Sequence, residues 1–238
     1  MTPRAPSGGI PPDSLLPCEG GSPVLLRAWR GEGSYARVYQ GTRIGAPCAV
    51  KLAKAEIPEA ADRLRAEREV LAAVRHPRIV ALLDRGDYHG IPFLVLEWLE
   101  GGTLLELVQS RRRLPLRQSL EFLEAVCDGV VALHGHGRIH GDIRAQNVLV
   151  IGGRGAVVTD PQGTPPPDVP AAAGDVRALG RLLHQMLTGD EPGPAGTRLT
   201  TAEGYNKGAV RLWEWTQAAD APSAGAVLAE IWRLRASL

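Results

Sequence analysis

The chain changes its hydrophobic rhythm near residue 100. From Val24 to Val95 the apolar positions come mostly in short β-type runs, V-L-L-R-A-W, A-R-V-Y-Q-G-T, P-C-A-V-K-L, I-V-A-L-L and I-P-F-L-V-L-E-W, rich in the branched and aromatic residues that suit a pleated surface. One helical segment interrupts them, from about Glu59 to Arg75. Beyond Gly101-Gly102 the spacing turns helical. Residues 116–134 align Leu116, Leu120, Leu123, Cys127 and Val130 on one face and stop at Gly135. Residues 175–188 repeat the style, and 223–235 carry Val227, Leu228, Ile231 and Trp232 on one face behind Ser223, a predicted N-cap. Residues 1–22, rich in Pro, Gly and Ser, predict a flexible leader outside the fold. Strands first and helices after predict an α+β chain in two lobes, a β-rich one over 23–98 and a helical one over 99–238. No internal repeat is visible.

A chain of 238 residues is long enough for such a domain to bury a real core. With 27 basic and 26 acidic residues its formal net charge is +1, which argues against general affinity for nucleic acid or an anionic membrane surface. No apolar run reaches 18 residues and the N-terminus lacks the apolar core of a signal peptide, so a cytoplasmic location is expected. Cys18, Cys48 and Cys127 are scattered, with neither metal-site spacing nor a disulfide framework.

Several polar residues stand where an apolar one would be ordinary. Leu64, Leu71 and Val74 lie at i−3, i+4 and i+7 from Glu67 and so place a carboxylate on the buried face of its helix. Lys51 ends a core-type strand run. The two would satisfy each other as an ion pair, or each would snorkel to solvent alone. G-E-G-S-Y-A-R-V at 31–38 joins two β-type runs: its glycines fit either a hairpin that needs positive φ or a backbone that approaches phosphate closely. Asp142, Asn147 and Asp160 sit at the ends of short apolar runs. Together they offer the hard oxygen donors and the proton acceptor that Mg²⁺-dependent phosphoryl transfer needs, while each alone fits an ordinary turn. His134, His136 and His140 read as a helix end plus a buried loop histidine rather than a metal site, Arg111–Arg113 as a solvated helix end, and Trp213, Trp215 and Trp232 as core of the second lobe.

In order and spacing these pieces resemble the protein kinase catalytic domain, over roughly residues 24–237. Gly31 and Gly33 match the glycine-rich loop, A-V-K at 49–51 the nucleotide lysine, and Glu67 its helix partner. L-V-L-E-W-L-E-G-G at 94–102 looks like the last strand and hinge, H-G-D-I-R-A-Q-N at 140–147 like the catalytic loop, and D-V-R-A-L-G at 175–180 like the start of the helix that anchors the second lobe. The resemblance implies ATP and Mg²⁺ as cofactors. Lys51 would hold phosphates and Glu67 would orient it; Asp142 would accept the acceptor's proton and Arg144 would neutralise the transferring phosphoryl. Asn147 and Asp160 would bind metal. Val38, Ala49 and Leu149 would flank the adenine, with Leu96 as gatekeeper and backbone contacts at Glu97 and Leu99.

The departures from the pattern hang together. Gly141 replaces the arginine before the catalytic aspartate, Ala36 the third loop glycine, and Pro161-Gln162 the Phe-Gly of D-F-G. Only 14 residues separate Asp160 from Asp175, without A-P-E, so the phosphate that the missing arginine would bind has no segment to sit on. Phosphate gating is absent while the transfer residues are kept. The expected function is a phosphotransferase acting on a hydroxyl of a protein, with a pseudokinase binding module as the alternative and a small-molecule kinase as the second.

Overall fold

A computed structural model describes residues 9–163, 171–192, 199–200 and 205–238. They form two compact units, one taking the chain up to Arg75 with Val80–Leu99, the other His76–Ile79 with the chain from Glu100. The first unit holds strands β1 Leu15–Leu16, β2 Val24–Glu32, β3 Ala36–Arg43, β4 Ala46–Ala53, β5 Leu82–Tyr88 and β6 Ile91–Glu97, with helix α1 Ala60–Ala73 between β4 and β5. The sheet is antiparallel in the order β1-β2-β3-β4-β6-β5.

Alternation divides this sheet into two unlike faces. Val24, Leu26, Tyr39, Val50, Leu52, Phe93 and Val95 point to one side and form a core with Ile10 and Leu16. That corrects the expected leader, because from Ile10 onward the segment belongs to the fold. The Ile10 N–H donates to the Tyr39 hydroxyl at 3.1 Å, β1 pairs with β2, and the Glu19 N–H donates to the Arg85 carbonyl at 2.8 Å. Two buried aliphatic side chains, at about 1.5–3 kcal/mol each, anchor a stretch whose average composition is that of a linker.

The second unit holds β7 Gly101–Thr103, α2 Leu104–Arg111, α3 Leu116–Gly135, a single 3-10 turn Ala145–Asn147, β8 Val148–Ile151, β9 Gly155–Val158, α4 Ala171–Thr188, α5 Lys207–Gln217 and α6 Ala224–Ala236. The helix α3 buries Leu120, Leu123, Val126, Val130 and Leu133 and packs against α4, α6 and β9. Ser223 caps α6, accepting the Ala226 N–H at 3.2 Å. Gly101 is needed where β7 meets β8, since a Cβ there would run into the Val150 carbonyl. Arg111–Arg113 do mark an exposed helix end, that of α2, which a Thr103/Glu106 capping box starts; α5, capped by Asn206, was not expected. Of the three tryptophans expected in the core only Trp213 is buried; Trp215 and Trp232 are 39% and 54% exposed. The three cysteines are free thiols. No described helix is long and apolar enough to cross a membrane.

Candidate active site

The sheet face opposite the core carries the candidate nucleotide residues. The register sets Lys51 across from Val38 on β3 and Leu94 on β6, and Ala49 across from Gln40 and Leu96. Gly31 lies opposite Val38, so Gly31, Val38, Ala49, Lys51 and Leu96 share that face. Here α1 packs against β4 and β6, and the Lys51 ammonium meets Glu67 Oε2 at 2.6 Å with the side chains only 12% and 7% exposed. The pair, not independent snorkelling, is what the structure contains. Gly31 and Gly33 lack positive φ, and a Cβ on either would have nothing within 4 Å. The protein's own sterics therefore do not require these glycines. Further along, the Glu97 N–H donates to the Ala81 carbonyl at 3.0 Å, and its carboxylate accepts the Ala81 N–H at 2.8 Å. Leu99 follows β6, half-buried.

In the second unit the stretch 140–147 is organised around two carboxylates. Asn147 Nδ2 donates to the Asp142 carbonyl at 2.9 Å and to Asp142 Oδ2 at 2.8 Å. Gln162 Nε2 donates to the same Oδ2 at 3.0 Å, with the Arg144 Nε 3.8 Å away. The second carboxylate, Asp175, is 1% exposed. It accepts the backbone N–H groups of His140 and Gly141, both at 2.8 Å, and a hydrogen bond from His134 Nε2 at 2.9 Å. Burial alone would raise the Asp175 carboxyl; the hydrogen bonds from His134, Gly141 and His140 outweigh it and hold the group below the ordinary carboxylate range.

His140 is fixed at both nitrogens. Its Nδ1 accepts the Asp142 N–H at 3.2 Å, so Nε2 carries the proton and donates to the Thr159 carbonyl at 3.0 Å. Burial pushes its pKa below the ordinary value, against the pull of Asp175. Thr159 ties back through its N–H to the Asn147 carbonyl at 2.9 Å. Next to it Asp160 adopts the left-handed conformation, φ 61°, which disfavours a residue with a Cβ by roughly 1–2 kcal/mol and persists only where its surroundings fix it. Leu149 lies half-buried in β8. Beside Asp142 a pocket of about 420 Å³ is lined in part by Gly141, Arg144, Arg177, Arg181 and Glu191.

Residues 26–162, more than half of the chain, match the family described as protein tyrosine and serine/threonine kinase. The chain belongs to the protein kinase family. Within that family it is similar to a probable serine/threonine-protein kinase, SCO3848, of Streptomyces coelicolor, 35% identical over 129 residues that make up 50% of this chain and 19% of that one. The serine/threonine-protein kinase PknL of Mycobacterium tuberculosis is 32% identical over 134 residues, 54% of this chain and 34% of its own. The serine/threonine-protein kinase PknB of Mycobacterium leprae is 27% identical over 197 residues, 68% and 32%. The kinase-family chain thus matches at most about a third of each of these longer proteins.

Two residues of the candidate site were named in the sequence reading without the side-chain role the structure gives them. Asp175 carried a usable signal: it shares a helix face with Leu179, Leu182 and Met186, the clue that had marked Glu67. Gln162 carried none beyond standing where a glycine was expected. The three histidines divide as anticipated, His140 buried in the loop, His134 on Asp175 and His136 at the end of α3 on the Ala132 carbonyl at 2.9 Å.

Proposed function

We propose that this kinase-family chain transfers the γ-phosphoryl group of ATP, with Mg²⁺, to a hydroxyl on a protein, without gating by a phosphorylated activation segment. The observation that carries the proposal is the assembled Lys51–Glu67 pair at 2.6 Å, since in protein kinases this pair must be in place for transfer. Two features fit the cofactors. Space for a Cβ at Gly31 and Gly33 suits a backbone that receives phosphate. The Asp160 carboxylate, with the Asn147 side-chain oxygen left over once its Nδ2 is committed to Asp142, offers the hard oxygen donors that Mg²⁺ prefers.

Bound Mg²⁺ would supply charge neutralisation on the phosphates. Lys51, oriented by Glu67, holds the phosphates. Asp142 takes the acceptor's O–H proton as the acceptor oxygen bonds to the γ-phosphorus, while the bond to the β–γ bridging oxygen breaks and ADP leaves with the electron pair. Arg144, half-exposed beside Asp142, offsets charge on the transferring group. Val38, Ala49 and Leu96 supply apolar contacts for adenine, and Glu97 and Leu99 the backbone ones. The pocket flanked by Arg144, Arg177 and Arg181 gives the acceptor a place beside Asp142.

Thermal unfolding with and without ATP and Mg²⁺ tests the reading. Ligand at 100 times its dissociation constant adds about 2.7 kcal/mol, or roughly 5–10 °C for a chain of this size. The expected shift requires the metal and disappears in Lys51→Ala and Asp160→Asn. No shift at millimolar ATP and Mg²⁺ would overturn it.

A further inference from the structure

Gln162 stands two residues after Asp160, where the family pattern has the glycine of D-F-G. Its backbone N–H donates to the His140 carbonyl at 2.7 Å, and the Gly163 N–H reaches the same oxygen at 3.3 Å. A glycine could make the first of these bonds equally well. What a glycine cannot do is what the side chain does, donating from Nε2 to Asp142 Oδ2 at 3.0 Å. Upstream of Asp160 the matching ties are His140 Nε2 to the Thr159 carbonyl at 3.0 Å and the Thr159 N–H to the Asn147 carbonyl at 2.9 Å. Asp160, in its left-handed conformation, is therefore clamped on both sides to the loop that carries Asp142. Pro161, buried between the clamps, has a ring-fixed φ and no N–H to satisfy.

We infer that Gln162 is a positioning residue, a built-in lock that fixes the Asp142 carboxylate and fastens the Asp160 segment to the catalytic loop. Its catalytic consequence rests on the function proposed above; the lock itself does not. Asp142 Oδ2 is occupied by the amides of Asn147 and Gln162, so the acceptor's proton falls to Oδ1, whose direction the two amides set. The lock also gives a physical sense to the missing regulatory parts. Where D-F-G kinases order this segment through an aromatic anchor and a phosphorylated loop, this chain orders it by a hydrogen bond from a residue two places on.

The test compares wild type with Gln162→Gly and Gln162→Glu, the latter equal in size but setting a carboxylate against Asp142. Backbone hydrogen exchange, followed by NMR, reads the lock without reference to activity. Protection of the Thr159, Gln162 and Gly163 amides is expected to fall about tenfold in both variants, while α3 and α6 keep theirs. Phosphate transfer from MgATP to dephosphorylated casein reads the consequence: kcat is expected to fall about tenfold in Gln162→Gly and about a hundredfold in Gln162→Glu, with KM for ATP within about threefold. Unchanged protection at those three amides overturns the lock. Lost protection with kcat within threefold of wild type overturns its positioning role, as does an equal loss spread across kcat, KM and thermal stability. Lost protection in a chain whose wild type neither binds nor turns over MgATP would leave the lock standing and sink the proposed function instead.

Discussion

Replacing Asp175 by alanine removes one acceptor from three donors at once. The His134 Nε2 at 2.9 Å and the His140 and Gly141 N–H groups at 2.8 Å would all lose their partner, in a place where the carboxylate is 1% exposed and water does not readily replace it. A hydrogen bond to a charged group contributes about 1.5–3 kcal/mol, and an unsatisfied buried donor is penalised by a similar amount. The three bonds share one acceptor and do not add, so the expected loss is about 3–5 kcal/mol, a large share of the 5–15 kcal/mol typical of a domain. Asp175→Asn keeps the shape and one accepting oxygen, and its loss should be about 2 kcal/mol. Urea unfolding followed by tryptophan fluorescence and circular dichroism measures both. The pH dependence supplies a second check. The Asp175 carboxyl is held below its ordinary 3.8 in the fold, by hydrogen bonds from His134, Gly141 and His140 that overcome burial. Its contribution is thus fully present above about pH 4 and is lost as pH falls through the lower folded value. The gap between wild type and Asp175→Asn should narrow as pH falls below about 4. A loss below about 1 kcal/mol for Asp175→Ala at pH 7 would refute the reasoning.

Lys51→Ala and Glu67→Ala should each destabilise by about 2–4 kcal/mol, because each strands a largely buried charge, whereas Lys51→Met combined with Glu67→Leu should recover most of it; a double-mutant cycle in urea measures the difference. Gly31→Ala should leave stability within about 0.5 kcal/mol, since its Cβ meets nothing within 4 Å, while KM for ATP rises several-fold; a thermal scan beside steady-state kinetics separates the two. His140 is buried neutral, facing Asp175, Asp142 and Asp160, with its pKa pushed below 6.5 by burial. Stability should therefore fall as pH drops below about 6.5, where the unfolded chain takes up the proton first, and His140→Asn should remove that part of the slope in a Tm series from pH 5 to 8.

The change of rhythm near residue 100 made both units legible, because a half-buried antiparallel sheet and a helical bundle leave different periods in the sequence. The Lys51–Glu67 pair was legible for a related reason: a charge on an apolar stripe needs a partner, and the register of β4 against α1 provides it. What escaped was held by few residues or by the fold itself. Ile10 and Leu16 tie residues 10–20 into the core within a stretch whose average composition says otherwise. The end of helix α2 was read at Arg111–Arg113 but not its start, because eight residues are too short for a clear period, although its Thr103–Glu106 capping box was there to be read. Trp215 turned out exposed because size and aromaticity say nothing about which helix face is covered, and Trp232 because it lies at the edge of the stripe that buries Val227, Leu228 and Ile231. Gln162 depends on a loop path that brings residues 20 apart into contact, and no periodicity encodes that.

The central claim is the proposal that this kinase-family chain transfers phosphate with Asp142 as the proton acceptor. Its most direct test follows phosphate from γ-labelled ATP to dephosphorylated casein in the presence of Mg²⁺, with the unphosphorylated wild-type chain beside Asp142→Asn. The account predicts transfer by the wild type that needs Mg²⁺ and falls by a factor of about 10²–10⁴ in Asp142→Asn. A wild type that binds MgATP yet transfers no more label than Asp142→Asn would contradict it and make the chain a binding module.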